Sequence, residues 1–185
     1  MLAGANANDC QKWIAGLFRI ETMSSVAHVT TASDVANLEL DPLAIFSFPL
    51  DEFQLEAIAA LNHGHSVVIS APTGSGKTLV GEYAIHRAIA HGQKVFYTTP
   101  LKALSNQKLR DFREQFGSQN VGLMTGDLSV NREASIVVMT TEIFRNMLYA
   151  EADQADDPLA DVEAVVLDEC HYMNDSQRGT VWEES

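Results

Sequence analysis

From Phe46 onward, short runs of β-branched and aromatic residues alternate with longer stretches in which apolar residues recur every three or four positions. The first pattern predicts strands and the second predicts helices with one apolar face. Asp51 caps a helix running to about Asn62, with Phe53, Ala57, Ile58 and Leu61 on one face and Gly64 ending it. Ser66 to Ser70 reads as a strand, Thr78 to about Ala90 as a helix stopped near Gly92, and Lys94 to Thr98 as a strand. A helix from Leu101 to Phe116 ends at Gly117. Strands at Val121 to Met124 and Ile136 to Met139, a helix from Thr141 to Tyr149 and a strand at Ala164 to Leu167 complete the series. Strands alternating with amphipathic helices imply an α/β fold, a parallel sheet with helices on both faces. Ligands of such sheets sit at the carboxyl ends of the strands. There is no internal repeat.

The region before Phe46 has no comparable pattern. Residues 1–45 therefore read as an amino-terminal extension without an assigned fold, and 46–185 as the domain. Met23-Ser24-Ser25 is a candidate internal start within that extension, and Glu151 to Asp161, acidic and containing a proline, reads as a solvated surface loop.

Two strand ends carry chemistry. After the Ser66–Ser70 strand comes Ala71-Pro72-Thr73-Gly74-Ser75-Gly76-Lys77-Thr78, followed by a helix. Gly74 and Gly76 let backbone amides turn inward, Thr73 and Ser75 complete the loop, and the helix adds its positive dipole end, which together make a phosphate cradle. Lys77 is expected to reach the β- and γ-phosphates of a nucleotide and Thr78 to offer its hydroxyl to Mg2+. The usual pattern opens with Gly where this chain has Ala71. After Val165-Val166-Leu167 come Asp168-Glu169-Cys170-His171. Asp168 is the expected metal carboxylate, Glu169 the expected base for an attacking water, and His171 a sensor of the γ-phosphate. Asp-Glu after a strand is often only a helix cap, and its weight comes from the phosphate loop. Cys170 reads as a small packing residue rather than a reactive thiol.

Composition narrows the partners. The chain has 185 residues, enough for one domain, and an apolar fraction of 46% suffices for a core. No apolar stretch reaches the roughly 18 residues of a membrane span. One Arg against four acids in the first 40 residues argues against an organellar transit peptide. Cys10 and Cys170 form no metal spacing, so a reduced intracellular setting is expected. With 12 basic residues against 25 acidic ones, the net charge of -13 excludes a generally basic nucleic-acid binder. Any such contact must be local.

Six ordered segments carry a resemblance. They are Phe48-Pro49-Leu50-Asp51-Glu52-Phe53-Gln54, the phosphate loop, Thr99 to Lys108, Met124-Thr125-Gly126-Asp127, Met139-Thr140-Thr141-Glu142, and Asp168 to Asp175. The chain resembles the first RecA-like domain of a superfamily-two DExH helicase. Arg178-Gly179-Thr180-Val181-Trp182-Glu183-Glu184 narrows the likeness to the superkiller-like RNA helicases, which include exosome-associated, cyanobacterial and chloroplast members. The likeness is read over residues 46–185, with 1–45 outside it.

The resemblance implies a RecA-like P-loop NTPase domain with ATP and Mg2+ as cofactors, Lys77, Asp168, Glu169 and His171 as catalytic residues, and Thr78 and Asp168 at the metal. It implies that Phe48 stacks on adenine and Gln54 reads its amino edge. It also implies an RNA track of Pro100, Lys102 and Asn106, then Thr125, Gly126 and Asp127, then Thr140, Thr141 and Glu142; hydroxyls and helix-end amides bind phosphates without net charge. The activity implied is ATP-dependent translocation on single strands and RNA unwinding by a complete protein. That protein would continue past Ser185 with a Ser-Ala-Thr motif, a second RecA-like domain with arginine fingers worth about 10³–10⁵ in rate, and further parts. An exonuclease partner is compatible with it. Alternatives are a DNA helicase of the same superfamily, another phosphate-loop NTPase such as a nucleotide kinase, or a truncated nucleotide-binding module without catalysis. A bacterial cytoplasm is the expected location, with chloroplast or nucleus as alternatives.

Overall fold

The computed structural model describes the backbone of residues 26–30 and, beyond it, residues 40–150, 159–170 and 172. The Met23 start, most of the acidic 151–161 loop, His171 and the 173–185 segment lie outside the described residues. Two compact units form, residues 1–84 and 85–185, with the boundary inside a helix.

In the first unit, β1 (Val26–Thr30) runs antiparallel to β2 (His65–Ile69), with Val26 opposite Ile69 and Thr30 opposite His65. β1 lies within the 1–45 segment, which has no fold assigned from its pattern. A five-residue Val-Ala-His-Val-Thr run is too short to stand out from the Ser- and Thr-rich residues around it. β2 was expected to join a parallel sheet; its ladder here is antiparallel. Its alternation suits that pairing, for Val67 and Ile69 turn inward while Val68 is exposed. α1 (Pro42–Ile45) starts at Asp41, whose Oδ1 accepts from Leu43 N at 2.9 Å, with Pro at the first helical position. α2 (Glu52–Asn62) starts after Asp51, whose N–H donates to Gln54 Oε1 at 2.9 Å, the returning half of a capping box. α3 (Thr78–Ala90) supplies Leu79, Val80 and Tyr83 to this unit. They close on Phe46, Ile58 and Ala57, with Phe53 and Leu61 beside them, so the expected face of α2 is the buried one. Tyr83 is fully buried, and its hydroxyl lies 2.8 Å from Asn62 Oδ1 and 3.0 Å from the Leu40 carbonyl.

The second unit is built on a five-stranded sheet. It comprises β3 (Lys94–Thr99), β4 (Val121–Met124), β5 (Ser129–Val130), β6 (Ile136–Thr140) and β7 (Val162–Leu167), in the order β5-β4-β6-β3-β7. All pairs are parallel except the short edge pair β4–β5. α4 (Lys102–Phe116) and α5 (Thr141–Ala150) follow β3 and β6. Val95, Tyr97, Ile136 and Val138 project to one face, where Phe112 of α4 and Ile85 and Ala88 of α3 pack. Phe96, Val137 and Met139 project to the other, against Phe144 of α5. Alternate side chains of the same strands are thus buried on opposite faces, the reason these strands read as unbroken apolar runs. At the end of α3, Arg87 Nε and His91 Nδ1 hold the β7 carboxylate of Glu163 at 2.8 and 2.9 Å.

His86, on the same helix, stacks edge-on against Phe116 at 5.0 Å, and burial lowers its pKa below the usual 6.5. Between the unfolded and folded pKa values the unfolded chain binds the extra proton. Stability is therefore expected to fall as pH drops through about 6.5 and to level off below the folded value. Melting temperatures across pH 7.5 to 5 check this, and His86→Phe flattens the slope.

Candidate functional site

The loop after β2 turns on two residues in the left-handed region, Gly74 at φ 83° and Gly76 at φ 79°. Any side chain at either would be strained. A Cβ at Gly76 would also stand 2.6 Å from Gln54 Nε2. The turn closes through Ser75 N–H to the Pro72 carbonyl at 3.3 Å, and Thr78 opens the 13-residue helix α3. Lys77 Nζ donates back to the carbonyls of Ala71 and Pro72 at 2.6 and 2.8 Å, which holds its ammonium across the loop. Ser75 Oγ is buried without a partner among the described residues. Together with the oriented helix start, that unpartnered hydroxyl fits an anionic group of several acceptor oxygens.

Gln54 has a role that sequence did not reveal. It is 5% exposed, its Oε1 takes the Asp51 N–H, and its Nε2 donates to the Gly76 carbonyl at 3.2 Å. It thereby ties α2 to the phosphate loop, and each end of the amide retains one further hydrogen-bonding position for a base. Phe48 is 51% exposed, with its ring 6.0 Å from that of the buried Phe46.

In the second unit the parallel register brings the ends of β3, β4, β6 and β7 to one edge of the sheet. Asp168 follows β7; its N–H donates to the Thr98 carbonyl at 3.0 Å, and its Oδ1 accepts from Glu169 N at 2.9 Å. Glu169 is exposed and sits at φ 58°, an uncommon conformation for a residue with a side chain and one that concentrates at functional sites. Cys170 is exposed rather than packed. Its Sγ donates to the Leu167 carbonyl, and desolvation of the thiol, then the Asp168 charge, push its pKa up, which opposes thiolate chemistry.

Of the residues expected along a nucleic-acid track, Lys102, Asn106, Gly126, Asp127 and Glu142 are exposed and Pro100 is half-buried. Lys102 Nζ pairs with Asp127 Oδ1 at 2.9 Å, and Thr125 Oγ1 donates to the same oxygen. The Lys102 hydrogen bond, then that of Thr125, lowers the Asp127 pKa. Thr140 and Thr141, where β6 passes into α5, are 7% and 2% exposed, and the Thr141 hydroxyl is buried without a partner among the described residues. Two residues missed in the sequence flank Asp168: the Tyr97 hydroxyl donates to its Oδ2 at 2.7 Å, and Lys108 Nζ lies 3.9 Å from that oxygen. Tyr97 reads simply as a strand aromatic, and Lys108 as one of several helix cations.

Comparison with known proteins adds five findings. The family model described as DEAD/DEAH box helicase matches residues 51–185. "DExH-box ATP-dependent RNA helicase DExH15 chloroplastic" of Arabidopsis thaliana is 52% identical over 170 residues, covering 90% of this chain and 14% of that protein. "Probable helicase HelY" of Mycobacterium tuberculosis is 55% identical over 147 residues, with coverages of 79% and 16%, and "Antiviral helicase SKI2" of Saccharomyces cerevisiae is 51% identical over 144 residues, with 78% and 11%. A solved structure of Mycobacterium smegmatis helicase Lhr bound to ssDNA and AMP-PNP superposes with TM-score 0.58 at 28% identity, over 77% of this chain and 22% of that one. The chain thus spans a small part of each relative's length. A match to 90% of the chain is more than residues 46–185 can supply, so the likeness also reaches into the segment expected to lie outside it.

Proposed function

The chain belongs to the DEAD/DEAH box helicase family, and from that premise we propose that it is the ATP-binding lobe of an ATP-dependent RNA helicase. The observation that supports the reading most is the shared edge of the five-stranded sheet, where the Asp168–Glu169 tip and the Lys102–Asp127 pair both emerge. An acid pair for hydrolysis and a polar strip for a phosphodiester backbone at one sheet edge is what coupling ATP turnover to strand movement requires.

In this reading Lys77 and the loop amides of Gly74, Ser75 and Gly76 hold the β- and γ-phosphates, Thr73 borders them, and Phe48 and Gln54 hold the adenine. Glu169 orients a water and takes its proton as the water oxygen bonds to the γ-phosphorus and the bond to the β,γ-bridging oxygen breaks, giving ADP and phosphate. His171 follows the γ-phosphate. Magnesium, when bound, neutralises charge on the phosphate oxygens. Thr78 and Asp168 are the residues that would hold it, and two hard oxygen donors suffice because Mg2+ takes its other ligands from phosphate and water. No group of three or more His, Cys, Asp or Glu side chains gathers among the described residues.

Lys102, Asn106, Thr125, Gly126 and Asp127 contact the RNA backbone, joined by Pro100, Thr140 and Glu142 and, since its hydroxyl is buried, by the backbone of Thr141. A second RecA-like lobe completes the ATP site with arginine fingers, and an exonuclease is a compatible partner. No described helix is long and apolar enough to cross a membrane. The setting we propose is a bacterial cytoplasm.

A DNA helicase is the second reading, favoured by the ssDNA in the Lhr structure. Competition between RNA and DNA strands of one sequence for the complete protein separates the two. RNA is expected to win; preference for DNA reverses the assignment.

A further inference from the structure

Asp168 is held more firmly than a strand-end carboxylate needs to be. Its backbone N–H is tied to Thr98, its Oδ1 takes the Glu169 amide, and its Oδ2 takes the Tyr97 hydroxyl at 2.7 Å. Tyr97 lies in β3 directly across from Val166, two residues before Asp168, and is 1% exposed. The ring meets Phe112 edge-on at 4.9 Å and 78°, which fixes the direction in which the hydroxyl points. From α4, Lys108 lies over the same two rings, its Nζ 5.3 Å from the Tyr97 centroid and 5.7 Å from that of Phe112. Its side chain is 19% exposed, and the ammonium stands 3.9 Å from Asp168 Oδ2. One oxygen thus faces a neutral donor and a cation at once, on a carboxylate whose second oxygen is already engaged.

We propose that Tyr97 is a positioning residue for Asp168 and that Lys108 is the resident counter-cation of that carboxylate, a charge with which a divalent metal must compete. The inference rests on the reading of Asp168 as a metal-binding residue and adds what governs it. Tyr97 fixes the rotation of the carboxylate, so its remaining lone pairs keep one direction; an outer donor of this kind raises metal affinity by pre-orienting the ligand. Lys108 acts in the opposite sense. Its charge neutralises the carboxylate without metal and repels a second cation. Neither effect needs Tyr97 or Lys108 to touch nucleotide.

The test is binding of a fluorescent, non-hydrolysable ATP analogue to the complete protein, titrated with Mg2+ and repeated with Mn2+. Tyr97→Phe keeps the ring and loses the hydroxyl. It is expected to raise the metal concentration at midpoint about 10-fold, with metal-free analogue affinity unchanged. Lys108→Met keeps the aliphatic stem over the rings and loses the charge; its midpoint is expected to move to lower metal. Opposite shifts from two neighbours cannot come from general loosening, which the melting temperature of each variant reports separately. Midpoints at the parent value, or both displaced in one direction, overturn the proposal, and the solvent-reaching Lys108 variant decides it if Tyr97→Phe does not fold. Asp168→Asn separates the levels. If it abolishes the metal dependence while Tyr97→Phe leaves it unchanged, the positioning claim alone falls. If Asp168→Asn also retains the dependence, the metal reading falls and takes the inference with it.

Discussion

In the complete protein, Glu169→Gln is expected to bind ATP with the parent's affinity and to hydrolyse it about 10²–10⁴-fold more slowly, the usual contribution of a positioned general base. Glutamine keeps the shape and the hydrogen-bonding reach of glutamate but cannot accept the proton that water must lose. Glu169 stands exposed just past the end of β7 in a left-handed backbone conformation, while the adjacent Asp168 is anchored through both carboxylate oxygens. In the proposed reading the anchored acid holds the metal and the exposed one is the base. Single-turnover hydrolysis alongside equilibrium nucleotide binding makes the measurement. Loss of binding in parallel with turnover would mean that Glu169 holds nucleotide rather than activates water.

The second large effect is structural. Phe112→Ala is expected to destabilise the second unit by about 3–5 kcal/mol, the range for truncating a buried aromatic. That is a large share of a stability margin of about 5–15 kcal/mol. Phe112 is 1% exposed and fills the space between α4 and β3, in edge contact with Tyr97 at 4.9 Å and Phe116 at 5.9 Å. Removing it leaves a cavity beneath the ring that orients the Asp168 carboxylate, so damage to folding and to the site are coupled there. Denaturant midpoints read by circular dichroism measure the loss, and Phe112→Leu, which refills most of the volume, should recover part of it.

The repeating strand and helix pattern after Phe46 was legible because the second unit buries its strands on both faces. β6 and the end of β7 thereby become runs rich in Val and Ile, and β3 a run of Val, Phe and Tyr. α3 runs from Thr78 to Ala90 as its pattern indicates, and β7 starts at Val162 rather than Ala164 because Val162 already pairs with Lys94, with Glu163 at the irregularity that follows. β1 was not legible. Its pairing with β2 is a long-range backbone contact that five residues of modest strand character cannot announce. The phosphate loop was legible because its glycines are needed at positive φ whatever surrounds them. Gln54 linking α2 to Gly76, Tyr97 bound to Asp168, and Gly122, where a Cβ would meet the Asn131 carbonyl oxygen, were not, since each depends on what the fold brings alongside. The burial of Thr140 and Thr141 was missed for a related reason. A Thr pair before a helix looks the same whether its hydroxyls face solvent or the sheet.

The most direct test of the ATP-driven helicase reading is RNA-stimulated ATP hydrolysis by the complete protein carrying Lys77→Ala. Lys77 is the cation held across the phosphate loop, and loss of a preorganised donor of this type slows turnover about 10²–10³-fold. That loss is the expected result, with RNA stimulation disappearing alongside it. Hydrolysis at the parent's rate in the Lys77→Ala protein would contradict the helicase reading.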